Sequence, residues 1–210
     1  MDWLLAALLS LAAYLLGSIP AAYILVRRVR GLDIRRVGSR NVGALNTFQQ
    51  VGLWGGLLVL LFDTGKGALA VLAPGWVGAP EWTVYSTGVL VALGHNWPVF
   101  LGFRGGKGAA SILGVSLALL PVLTLIAAGV TLLIVLLLRN VIIGALVGFI
   151  LLDALTVITH QGPGLIALCF FLTFLVTTTY LVSDRERMSA AIKARQWRAL
   201  FYETHPAPEE

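Results

Sequence analysis

The sequence predicts an all-α integral membrane protein of about seven transmembrane helices, with its N-terminus outside and its C-terminus cytoplasmic. Three observations lead there. Hydrophobic residues make up 58% of the 210-residue chain and charged residues only 12%, with a mean hydropathy of +0.89, whereas a soluble domain carries about 25% charged residues. Apolar runs of the ~20 residues that cross a bilayer recur along the whole chain. Lysine and arginine gather in alternate connections. A soluble fold has too little interior to hide this much apolar surface, so lipid is part of the solvent.

The N-terminal run, 3–26, follows Met1-Asp2-Trp3 with no positively charged stretch and is long for a cleaved signal, so it reads as a retained span. The connection 27–40 carries Arg27, Arg28, Arg30, Arg35, Arg36 and Arg40 against Asp33 alone. The positive-inside rule assigns it to the cytoplasm. Runs 51–73 and 83–101 are the next two spans, and they return Arg104 and Lys107 to that side. The run 109–138 is 30 residues long, with Pro121 near its middle. A single crossing would leave Arg139 and the tail, with Arg185, Arg187, Lys193, Arg195 and Arg198, outside. Two short helices turning near Leu120-Pro121 bring both inside. With 141–159 and 164–183 the total is seven, and 14 of the 15 basic residues face the cytoplasm, the exception being Lys66 within a span. Five or six helices are the alternatives. Short helices require shielding by neighbours or local bilayer thinning. The expected organisation is a single transmembrane helical domain, 1–185, with cytoplasmic loops 27–50 and 102–110 and a basic tail, 186–210.

The net charge of +5 points, in such a chain, to orientation and anionic headgroups, and not to nucleic acid. A single cysteine, Cys169, excludes an intrachain disulfide and reads as a small core hydrophobe. The three histidines are scattered and no cysteine pair exists, so no metal-ligand spacing is present. Trp3, Trp54, Trp76, Trp82 and Trp97 fall near span ends, where interfacial anchoring accounts for them.

Three features carry chemistry. The first is Gly38-Ser39-Arg40-Asn41-Val42-Gly43-Ala44-Leu45-Asn46. Its glycines permit the turns that align backbone N–H groups into an anion nest, and Ser39, Asn41, Asn46 and the arginines add phosphate-binding donors. An ordinary turn beside a positive-inside cluster is the competing reading. The second is Gly94-His95-Asn96-Trp97-Pro98 through Gly105-Gly106-Lys107-Gly108 to Ser111, ending where a helix starts. Exposed amides at a helix start beside an ammonium suit a phosphate. A Walker A loop is excluded, because Leu101 stands where its first glycine belongs and Gly108 follows the lysine. A plain interhelical loop is the alternative. The third is Asp63 with Lys66, spaced i, i+3 on one face of a span. Charges at that depth are paired or functional, and a structural ion pair is the simpler reading. Asp153 lies in a later span with no basic neighbour in sequence. His95 reads as a packed, hydrogen-bonded histidine before a general base.

Taken together, these residues resemble the bacterial acyl-phosphate-dependent glycerol-3-phosphate acyltransferase family. The resemblance runs from Gly17-Ser18-Ile19-Pro20 to the final span. It is carried by Gly38 to Ala44 with Asn46, by Asp63-Thr64-Gly65-Lys66-Gly67, and by the stretch Gly94 to Gly108. That stretch follows the family pattern G-H-x-aromatic-P-V-F-L-x-F-basic-G-G-K-G almost throughout. The family's seven helices and its topology agree with the count from charge. The resemblance implies transfer of a fatty acyl group from acyl phosphate to the 1-hydroxyl of glycerol 3-phosphate, giving lysophosphatidic acid and phosphate without a cofactor. It implies a bacterial cytoplasmic membrane, an active face on the cytoplasmic side, and coupling to a soluble enzyme that makes acyl phosphate. It further implies that Ser39 and Lys107 are catalytic, and that Asn41, Gly43, Asn46, His95, Gly105, Gly106, Gly108 and Ser111 bind substrate phosphates. The chain departs from the family in four places. Leu45 stands for a threonine and Gln49 for an arginine, while Met188 and Ala191 stand for a histidine and an asparagine of the third motif. Arg185, Lys193 and Arg195 lie close enough in sequence to compensate. Two further readings are a paralogue with another acceptor or no turnover, and a small transporter of anionic solutes.

Overall fold

The computed structural model describes residues 2–183, and nine α-helices occur among them. They are α1 (Asp2–Gly17), α2 (Ala21–Arg30), α3 (Ala44–Val51), α4 (Leu53–Trp76), α5 (Trp82–Asn96), α6 (Ala109–Leu119), α7 (Pro121–Leu138), α8 (Val141–Ile158) and α9 (Pro163–Ser183). Five stretches are long and apolar enough to cross a membrane: Asp2–Arg30, α4, α7, α8 and α9. α6 is apolar but only 11 residues long, about 16 Å at ~1.5 Å per residue. The third motif, with Met188 and Ala191, and the basic tail lie outside the described residues.

The turn expected at Leu120-Pro121 is present. Leu120 leaves the helical region at φ −136°, and Pro121 opens α7, where its missing N–H costs nothing. Two expected spans need correction. The run 3–26 is not one helix: it breaks at Ser18-Ile19-Pro20, and α2 restarts at Ala21. Proline cannot donate to the helix ladder and pushes its predecessor out of the helical region. The run 83–101 ends as an α-helix at Asn96 for the same reason, because Pro98 follows and Trp97 takes φ −126°, ψ 68°. The span near 51–73 starts after an eight-residue helix, α3, that turns into α4 at Gly52.

Lipid gives helices no hydrophobic reason to associate, so close backbone approach has to supply the contact. Two helix pairs are built this way. Between α4 and α6, a Cβ on Gly67 would overlap the Ser111 carbonyl and one on Gly114 the Thr64 carbonyl. Between α1 and α5, a Cβ on Gly17 would overlap the Val91 carbonyl and one on Gly94 the Tyr14 carbonyl. Around these contacts Ala13, Val71, Val91, Ile112, Val115 and Leu172 form the main core, with α9 closing it. A second cluster, Ala22, Val26, Ile34, Val42 and Val59, lies beneath the polar connection after α2. The large exposed side chains, such as Leu61, Leu125, Leu136 and Phe174, sit on the outward faces. The five tryptophans noted above are also exposed, and Trp3 and Trp82 pack with ring centroids 4.9 Å apart. Asp153 is turned into the protein at 6% exposure.

Candidate active site

The polar connection between α2 and α3 is held by local hydrogen bonds. Asp33 caps the short 3-10 turn Ile34–Arg36, accepting from the Arg35 amide at 3.0 Å and from the Arg35 guanidinium at 2.8 and 3.0 Å. That guanidinium holds the Asp33 carboxyl down to about 2, and the Arg35 pKa rises in return. Arg35 also donates to the Leu101 carbonyl and lies over the Tyr23 ring at 5.1 Å, joining this connection to the one after α5. Asn46 is fully buried below. Its amide shares two hydrogens among the carbonyls of Ile34, Val37 and Asn41, at 3.3, 3.1 and 3.0 Å.

The second polar connection follows α5. The amides of Gly105 and Gly106 donate back to the carbonyls of Asn96 and His95, at 3.2 and 3.0 Å. These two N–H groups therefore close the C-terminal end of α5. A side chain on Gly106 would overlap the His95 ring. Gly108 adopts φ +85°, a left-handed conformation that favours glycine, and α6 starts at once with Ala109. Lys107 is buried at 5% exposure, with its Nζ 4.2 Å from the centre of the Tyr180 ring on α9. One residue earlier, Thr179 accepts from the Asn96 side chain at 3.1 Å, tying α9 to the end of α5.

Behind the two connections lies a buried ionic cluster. Lys66 Nζ is 2.8 Å from Asp63 Oδ1 and donates to the carbonyls of Gly17 and Ile19, at 2.9 and 3.3 Å. The break between α1 and α2 leaves the Gly17 carbonyl without a helical partner and the Ile19 carbonyl with only a tight-turn bond from the Ala21 amide, at 3.2 Å. His95 Nδ1 is 3.6 Å from the same Asp63 oxygen, beyond hydrogen-bond range.

These elements surround a cavity of about 360 Å³, within the ~300–1,000 Å³ usual for ligand sites. Its polar end is formed by Asn41, Gly43, Asp63, His95, Lys107 and Gly108, with Ala109 and Ala110. The first amides of α6 belong to that end and have no intrahelical acceptor. The body is apolar and runs between α4, α6, α7 and α8, past Leu60, Leu113, Ala128, Leu132 and Phe149. Of the residues expected from sequence, Asn41, Gly43, His95, Lys107 and Gly108 meet here. Ser39, half-buried in its turn, does not line the cavity, nor do Asn46, Gly105, Gly106 and Ser111. Ser111 is fully buried at the contact of α6 with α4. Leu45 lines the cavity, and Gln49 is exposed on α3. Tyr180 was not anticipated, because an aromatic residue inside an apolar run carries no separate signal.

Known proteins resemble this chain in sequence and in fold. The family described as glycerol-3-phosphate acyltransferase matches residues 7–192. Glycerol-3-phosphate acyltransferase 4 of Dehalococcoides mccartyi is 53% identical over 116 residues, 55% of this chain and 50% of that protein. The chain thus spans about half the length of that relative. Glycerol-3-phosphate acyltransferase of Thermus thermophilus is 39% identical over 170 residues, 81% of this chain and 85% of that one. The solved structure of PlsY (YgiH), an integral membrane glycerol 3-phosphate acyltransferase in its glycerol 3-phosphate form, superposes with a TM-score of 0.80 at 32% identity, over 90% of this chain and 93% of that one. Its lysophosphatidic acid form gives 0.77 at 31% identity. By its matched sequence, its helical architecture and these relatives, the chain belongs to the glycerol-3-phosphate acyltransferase family.

Proposed function

We propose that this protein transfers a fatty acyl group from acyl phosphate to the 1-hydroxyl of glycerol 3-phosphate, releasing lysophosphatidic acid and inorganic phosphate. The observation that carries the reading is one cavity with a polar, amide-rich end that holds Lys107 and an apolar body between helices. Such a cavity fits an anionic head joined to a hydrocarbon tail. The similar solved structures are described in glycerol 3-phosphate and lysophosphatidic acid forms, which supports that acceptor and that product. In this reading the donor phosphate meets Lys107, Asn41 and the first amides of α6, and its tail lies along α6, α7 and α8. Ser39 and the connection above it meet the acceptor. The polar end faces the cytoplasm, where a soluble enzyme delivers acyl phosphate.

Acyl phosphate is already activated, so orientation and stabilisation of developing charge are the main tasks. The acceptor oxygen bonds to the acyl carbon while the bond from that carbon to the phosphate oxygen breaks. The phosphate departs with the electron pair, and the hydroxyl proton passes to phosphate. Lys107 and the α6 amides stabilise the negative charge that builds on the leaving oxygen. The test is acyl transfer by purified protein in nanodiscs. Wild type should convert acyl phosphate and glycerol 3-phosphate into lysophosphatidate, and Lys107→Ala should lose about 100-fold or more in kcat. Unchanged turnover in Lys107→Ala would remove the site assignment.

A second reading has a specific observation behind it. Leu45, where the resemblance expects threonine, lines the cavity, and it withdraws a hydroxyl from the polar end. A different alcohol is then the acceptor. Competition among glycerol 3-phosphate, glycerol and other alcohols separates the two readings.

A further inference from the structure

The cavity has one open flank and one closed end. Leu132, on the wall formed by α7, is 59% exposed, so the flank opens toward lipid. The closed end lies along α6, away from Lys107. From Gly108 to Ser116 the helix advances about 12 Å, and α7 then returns along the same wall. The register of α8 against α7 follows from two contacts: Gly144 abuts Val135, and Gly148 abuts Thr131. Continued, it sets Leu152 level with Ala127, one turn from Thr124. Ser116, Thr124 and Leu152 are 4%, 2% and 3% exposed, and all three line the cavity. The Thr124 hydroxyl has no hydrogen-bond partner among the described residues. By contrast Thr156 on α8 and Thr179 on α9 each bond a carbonyl of their own helix. A hydroxyl at the bottom of an apolar channel makes a poor surface for further methylenes.

We propose that Ser116, Thr124 and Leu152 form an end-stop that sets the longest acyl chain this protein transfers efficiently. The proposal rests on the acyl-phosphate reading above. One methylene more or less in an apolar pocket changes discrimination by about 10- to 200-fold, so a filled or deepened floor has a measurable effect.

The experiment compares kcat/KM for octanoyl, dodecanoyl and palmitoyl phosphate in nanodiscs. Ser116→Leu and Leu152→Phe should lower the palmitoyl-to-octanoyl ratio by at least about tenfold. Leu152→Ala should move the ratio the other way, and this opposite direction decides the matter if a filled floor prevents folding. Leu125→Phe, on the lipid side of α7 and outside the cavity lining, should keep the wild-type ratio. A wild-type ratio in active Leu152→Ala and Leu152→Phe overturns the end-stop and leaves the donor reading intact. A wild type that transfers none of the three acyl groups overturns the donor reading itself.

Discussion

Replacing Lys66 by methionine removes three interactions at once. The ammonium is 2.8 Å from Asp63 and donates to two carbonyls of the break between α1 and α2. Its side chain is 2% exposed and that of Asp63 3%, so water cannot take over. Removing one partner of a buried pair costs about 3–5 kcal/mol. Each orphaned polar group adds about 1–3 kcal/mol in a soluble protein. In a bilayer the unfolded helices find substitute partners, and interhelical hydrogen bonds average only ~0.6 kcal/mol. Weighing these, we expect Lys66→Met to cost about 3 kcal/mol, more than ~100-fold in the folding equilibrium. Asp63→Asn should cost less, because the ammonium keeps its two carbonyls. The double variant removes both charges together and should be less destabilised than the sum of the single changes. Reversible unfolding in mixed micelles, followed by circular dichroism, measures all three. A cost below about 1 kcal/mol for Lys66→Met, or strict additivity in the double variant, would refute the view that this cluster holds the broken helix in place.

Asn46→Ala deletes the amide shared by three carbonyls and should cost about 1–3 kcal/mol, with faster hydrogen exchange across 33–43 as the local sign. Gly114→Ala pushes a methyl into the Thr64 carbonyl and should cost about 1–3 kcal/mol by overpacking, whereas Gly129→Ala meets nothing within 4 Å and should be neutral or slightly stabilising in the same unfolding assay. Asp33 is held at about 2 against an ordinary 3.8, so its contribution is complete above the ordinary value and is lost as pH falls toward 2. Amide protection over residues 33–40 should weaken across that window in the wild type, and Asp33→Asn should show no such step.

Local chemistry made much of this fold legible. Pro121 and the charge on Arg139 located the turn that divides 109–138. Arginine placement named the two connections that meet at the cavity. The break at Pro20 was hidden because hydropathy averages over about 19 residues, and a three-residue interruption does not lower that average. In sequence the glycine stretch reads as a bed of free amides. Spacing carries no information about the direction of an N–H, and those of Gly105 and Gly106 turn back to α5. The i, i+3 rule found Asp63 beside Lys66. The two carbonyls that complete the lysine's coordination lie 47 and 49 residues away in sequence, where only tertiary packing brings them near. Thr124 and Tyr180 sit in apolar runs that look alike in sequence whether they face lipid or the cavity.

The lysine that closes the break also constrains the order of assembly. An α1–α2 segment inserted alone would carry the unsatisfied Gly17 carbonyl into hydrocarbon, and its partner is on the next long helix. The first two long segments are therefore expected to leave the insertion machinery as a joined pair, with the charged side chain screened before it meets the bilayer centre. Biogenesis of this protein would then depend on the rate at which the ribosome delivers residue 66.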